Sequence, residues 1–176
     1  MGGGGQSVDW ALFASNIAQL GPLITYIAVI VGLLLVISGM YRWAMSGRRG
    51  DISSGGAIAR IVTGTLLVSI GPTMNSISQT LFNKGTDNLL SYVPPPSNPG
   101  GGIMTVVVYA VQIVGLYAVI KGLYILATAW DGRGGAGAAV AHLTGGILAV
   151  NIVTFLNVVA NTLGGTMPSL VTSIFG

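Results

Sequence analysis

The sequence predicts an all-α fold of membrane type: four long helices in two tandem, parallel helical hairpins, behind a short N-terminal helix. Three observations carry that reading. Only 6% of the 176 residues are charged while 52% are hydrophobic, and mean hydropathy is +0.79, whereas a soluble domain carries about 25% charged residues. Four apolar runs each reach about 20 residues, which at about 1.5 Å per residue matches a hydrocarbon core of about 30 Å. The first pair of runs then returns as the second.

Tyr26-Ile-Ala-Val-Ile-Val-Gly-Leu-Leu-Leu-Val-Ile-Ser-Gly-Met-Tyr41 reappears 83 positions later as Tyr109-Ala-Val-Gln-Ile-Val-Gly-Leu-Tyr-Ala-Val-Ile-Lys-Gly-Leu-Tyr124. Past a loop shortened by one residue the offset is 82, so that Ala57, Gly64, Leu66, Ile70 and Asn75 fall on Ala139, Gly146, Leu148, Ile152 and Asn157. A unit of about 60 residues has been duplicated, and each unit must make sense alone and then in its pairing.

Residues 1–22 form an arm and a short amphipathic helix. Ser7 offers a cap, and Trp10, Phe13, Ile17 and Leu20 recur at helical spacing, as on a helix lying at an interface. Met1-Gly-Gly-Gly-Gly-Gln6 carries no charge, which argues against a cleavable secretory signal. Gln6 stands where a myristoylation site needs Ser or Thr.

Residues 23–82 form the first hairpin: Leu23 to Tyr41, a basic Gly-rich turn from Ser46 to Gly56, and Ile61 to Phe82, in which Gly71-Pro72 predicts a kink. Residues 83–102 contain Pro94-Pro-Pro and read as a partly stiff linker. Residues 103–164 form the second hairpin: Ile103 to Trp130 with Gln112 and Lys121, the turn Asp131 to Gly137, and Ala138 to Leu163 with His142, Asn151 and Asn157. The two matched asparagines, Asn75 and Asn157, are expected to cap helix ends or bond between helices at the far interface. The remaining residues, 165–176, read as a tail. Buried strands are excluded by length, since strands seldom exceed ten residues.

Charge orients the hairpins. Arg42, Arg48, Arg49, Arg60 and Arg133 gather at the two tips, and Lys84 with Asp9 and Asp87 lie on the other side. An excess of basic residues marks the cytoplasmic side, so both termini and the linker face the opposite compartment. There is no Glu, and the four Asp lie in loops or near segment ends, where a bilayer tolerates them.

The residues able to do chemistry are few, and no enzyme, catalytic residue or metal site is expected. The chain has no Cys and one His, and His142 has no acidic or nucleophilic partner at a recognisable spacing. No phosphate-binding glycine loop ends in Lys-Ser or Lys-Thr. His142 stands where the first unit has Arg60, which makes both basic anchors near a membrane surface. Lys121 stands where the first unit has Ser38; it either snorkels to the surface or meets a lipid phosphate or lumen ligand. With Arg48, Arg49 and Arg133, whose guanidinium forks suit phosphate oxygens, these residues form a lipid- or anion-binding set. Bound phospholipid is therefore expected in place of a cofactor.

The glycines form a second set. Gly32 and Gly39, Gly64 and Gly71, and Gly115 and Gly122 are each seven apart, which keeps a small residue on one face every two turns and lets helices approach backbone to backbone.

Each unit resembles the small two-helix membrane proteins of type IV secretion and conjugation. The likeness rests on an apolar helix ending in Gly-Met-Tyr-Arg-Trp43 or Gly-Leu-Tyr-Ile-Leu126, a short basic Gly-rich loop, and a second helix of the form Thr-Gly-Thr-Leu-Leu-Val-Ser-Ile-Gly-Pro-Thr73. It is similar above all to small inner-membrane proteins of type IVB (Dot/Icm-like and IncI-type conjugation) systems, and its plan is also that of conjugative pilins. The resemblance implies a bacterial inner-membrane subunit that assembles with itself into a lipid-containing helical pilus, basic loops toward a lumen able to carry DNA. The alternative it implies is a fixed inner-membrane channel or assembly component that partners other subunits of the apparatus.

Overall fold

The computed structural model describes residues 9–49, 54–83, 101–130, 135–164 and 166–175. All elements among them are helices: α1 (Trp10–Ala18), α2 (Leu20–Arg49), α3 (Ser54–Val68), α4 (Ile70–Phe82), α5 (Gly101–Ala129), α6 (Ala136–Val150), α7 (Ile152–Leu163) and α8 (Met167–Phe175). Two stretches, 12–47 and 103–129, are long and apolar enough to cross a membrane, and the number rises to four if each of two bent pairs counts as one span.

The N-terminal helix forms as its spacing predicts, with Asp9 as its cap: the Leu12 amide donates to Asp9 Oδ1 at 3.1 Å, satisfying one of the orphan donors of the first turn. Ser7 lies outside the described residues. Trp10 and Phe13 meet edge to face at 6.4 Å between ring centroids. The α2 helix runs 30 residues, about 45 Å, so it overshoots the predicted Leu23–Tyr41 span at both ends.

The second and fourth spans depart from expectation. Each is broken in two: α3 meets α4 at 85° and α6 meets α7 at 86°. The joints, Ser69 and Asn151, are equivalent positions of the repeat and share a conformation, φ −101° with ψ 33° and φ −101° with ψ 29°. Proline is not their common cause, because Pro72 has Thr154 as its counterpart. What the joints share is a short polar side chain that bonds back to the fourth carbonyl before it. The Ser69 hydroxyl donates to Thr65 O at 2.9 Å, and Asn151 Nδ2 donates to Ile147 O at 3.0 Å. Such groups compete with the helical ladder and favour helix ends; Pro72 falls in the first turn of α4, where a missing N–H costs little.

The helices pack in a row. α2 runs antiparallel against α3, α3 packs on α5, and α5 runs antiparallel against α6. The core draws Ala28 and Leu35 from α2, Leu67 from α3, Ile70 and Met74 from α4, Leu116, Val119, Leu123 and Ala127 from α5, and Val150 from α6. α1 lies on α5 and α8 on α7. α8 occupies most of the stretch expected to be a tail; Pro168 sits in its first turn, where proline is compatible with a helix.

Candidate functional site

The glycine contacts come first, because they set how close the helices stand. A Cβ at Gly32 would lie 2.7 Å from Gly64 O, and one at Gly64 would lie 2.6 Å from Gly32 O. The second repeat copies this reciprocity: a Cβ at Gly115 would lie 2.9 Å from Gly146 O and one at Gly146 2.7 Å from Gly115 O. One level further along, Gly39 faces Ile61 and the Ala57 carbonyl, and Gly122 faces Leu143 and the Ala139 carbonyl. No side chain fits at these points, so backbones touch. Gly71 is a correction: it lies beyond the Ser69 joint, and a Cβ there would meet nothing within 4 Å. The break takes it off the face that Gly64 uses. Gly146, absent from the predicted set, replaces it as the fourth member of the two reciprocal pairs.

The basic positions are distributed rather than gathered into a pocket. Arg48 and Arg49 close α2, with side chains outside the described residues, and Arg133 lies outside them altogether. Arg60 on α3 and His142 on α6 are half-buried at matched positions, and Lys121 is exposed on α5. His142 Nδ1 stands 2.8 Å from Ala138 O; since a carbonyl only accepts, that nitrogen carries the proton. Gly122 meets Leu143, and in this antiparallel pair Lys121 and His142 lie about 1.5 Å to opposite sides of that contact along the axis. Of the predicted set, these are the two positions among the described side chains that the packing brings to nearly one height.

A buried polar joint is the feature that sequence reasoning missed. The Ser78 hydroxyl of α4 donates to Asn151 Oδ1 at 3.1 Å, and Gln112 Nε2 of α5 donates to Val150 O at 3.1 Å. All three side chains are buried. Together they serve the break in the second repeat: the Asn151 side chain adds a second bond to Ile147 O, which also accepts the Asn151 amide, Gln112 bonds Val150 O just before the break, and Ser78 ties the joint to the first repeat. Gln112 Oε1 is buried with no hydrogen-bond partner among the described residues. The signal was present, since Gln112 stands where the first repeat has Val29, a polar residue in an otherwise apolar stripe. The matched asparagines stand apart from this joint: Asn75 Oδ1 accepts from Gln79 Nε2 at 3.4 Å within α4, and Asn157 is half-buried in α7.

Between α3 and α5 runs an open groove of about 310 Å³, lined by Ile58, Ala59, Val62, Thr63, Leu126 and Trp130. Its walls are almost wholly apolar and no titratable side chain lines it. Among the described residues no cluster of three His or Asp side chains stands ready for a metal. The arrangement offers apolar contact, close backbone packing and basic positions for anions. Compared with protein-family models, curated proteins and solved structures, the chain matches none of them.

Proposed function

We propose that this chain is a structural, self-associating subunit of a bacterial type IV secretion or conjugation apparatus, resident in the inner membrane. The α2–α3 and α5–α6 pairs are its two tandem hairpins, pointing the same way, with basic tips in the cytoplasm and both termini in the periplasm. The observation that carries the resident reading over the filament reading is the pair of right-angle joints at Ser69 and Asn151. They turn α4 and α7 across the direction of α3 and α6, a shape suited to elements lying along a bilayer surface and poorly suited to a slim filament subunit. Outward apolar side chains along α2, among them Ile30, Leu33, Leu34 and Ile37, support lipid or a further copy as the surroundings, because such a surface has no place in water.

The basic tips meet phospholipid headgroups in this reading. In the pilus alternative, which the backbone-close glycine packing supports, they face a lumen that holds lipid or DNA. Shearing cells that carry a tagged chain separates the two. Retention in the inner membrane, within a larger complex and with transfer lost on deletion, is expected. Recovery in sheared filaments with stoichiometric phospholipid would establish the pilus, and unimpaired transfer without the gene would remove the secretion reading.

A further inference from the structure

The repeats allow a comparison that a single-copy protein denies: the same residue seen once with a neighbour and once without. Along α5, Val108, Gln112, Leu116, Val119, Leu123 and Ala127 recur every three or four residues and all are buried. Their counterparts on α2 are Thr25, Val29, Leu33, Val36, Met40 and Ala44, and none of these is buried. Leu116 is 0% exposed and Leu33 49%; Leu123 is 6% exposed and Met40 58%.

The opposite side of the contact shows the converse. Thr63 on α3 is buried in the face turned to α5, while its counterpart Gly145 on α6 is exposed, and a Cβ there would meet nothing within 4 Å. Gly56 is buried and its counterpart Ala138 is exposed. Residues that close each pair internally show no such difference, since Ala57 and Ala139, and Gly64 and Gly146, are buried in both. α5 is covered by α3 and by α1, and is touched by α2; within the row α2, α3, α5, α6, the first repeat presents its second helix to the first helix of the second repeat, beside the N-terminal helix. The row ends in an uncovered first-helix face on α2 and an uncovered second-helix face on α6.

We propose that copies of this chain join head to tail, the outer face of α6 in one copy against the outer face of α2 in the next, by the contact that α3 makes on α5 within the chain. The interface inside the molecule is heterologous, using two different surfaces, and the two unused surfaces are the duplicates of the two used ones. A heterologous contact repeats until its rotation closes a ring or advances as a helix. This deepens the reading of a self-associating membrane subunit and rests on it.

The chain has no cysteine, so introduced thiols report alone. Thr63 and Leu126 line the same groove; their counterparts are Gly145 and Trp43. A Thr63→Cys/Leu126→Cys variant in membranes, treated with a short bismaleimide, should link within one chain. A Trp43→Cys/Gly145→Cys variant should give a ladder of dimer, trimer and higher species. Co-expressed single variants should link unlike copies only, and Ala141→Trp placed on the Gly145→Cys copy, at the exposed counterpart of groove-lining Ala59, should abolish its links through α6 while leaving the fold unchanged. Absence of a ladder while the internal pair links overturns the inference, as does self-linking of the Trp43→Cys single variant, which would mean a two-fold face. Light scattering of the detergent-solubilised protein then separates the failures: a particle larger than one chain leaves self-association standing through another surface, and a single-chain particle removes the subunit reading itself.

Discussion

In the first repeat Leu33 and Met40 stand out from α2, whereas in the second Leu116 and Leu123, at the same positions, are shut inside. Between the same two regions the glycine contacts are copied almost atom for atom. The difference teaches which part of the duplicated unit is self-sufficient. The antiparallel pair closes on its own glycines and needs no neighbour, while the flanking faces acquire their environment from whatever lies beside them. Burial at Leu116 is thus a property of the assembly of repeats, and burial at Ala57 and Ala139 a property of the repeat.

The strongest way to break this comparison is to force the copied contacts apart. Gly64→Leu and Gly146→Leu each push a side chain into a facing backbone, and each should cost about 3 kcal/mol or more, read as a lowered unfolding midpoint in detergent. Equal losses are expected in the two repeats; a loss in only one would show that the pairs are not equivalent. Gly71→Ala, in open space, should instead leave stability unchanged or raise it by up to about 1 kcal/mol, since alanine is the better helix former.

The joints should separate the repeats next. Asn151→Ala removes the bond to Ile147 O and the one from buried Ser78, at a cost of about 1–3 kcal/mol. Ser69→Ala removes one back-bond and a 3.3 Å hydroxyl contact with Thr73, both outside the buried joint, and should cost under about 1 kcal/mol. A sharper comparison comes from exchanging the outlier. Gln112→Val restores the residue of the first repeat; it loses the bond to Val150 O but also removes the unpartnered Oε1, so the net change should stay within about 1 kcal/mol. Lys121→Gln with His142→Gln should move the unfolding midpoint least, within about 0.5 kcal/mol for surface positions. The same pair should lower the anionic phospholipid that co-purifies, measured by mass spectrometry of extracts. Unchanged lipid would leave those two positions without a role in lipid binding.

Gly32, Gly64 and Gly115 were legible because a missing side chain has one geometric use in a lipid-like core, whereas the seven-residue spacing pointed to Gly71 in place of Gly146 because the joint at Ser69 was not foreseen. The helix starts near Trp10 and the apolar α2 and α5 followed from spacing and length alone. The right-angle joints did not. Pro72 drew attention to one repeat, while the shared determinant was the pair Ser69 and Asn151, unlike residues that perform one back-bonding task and so leave no common letter. The buried joint was hidden for a related reason: Ser78 reaches Asn151 across 73 positions, and no local pattern carries a bond of that range. Arg48, Arg49 and Arg133 were prominent as charges, but their side chains fall outside the described residues.

The 15-residue length of α3 and α6 has a consequence for the lipid itself. Each is about 22 Å long before its joint, against a hydrocarbon core of about 30 Å. In the row the tall and short helices alternate, so a bilayer that wraps the subunit meets a tall wall at the α2 end and a short one at the α6 end. Lipid accommodates a short wall by thinning, at a fraction of a kcal/mol per ångström, so each subunit tilts the membrane surface across its own width.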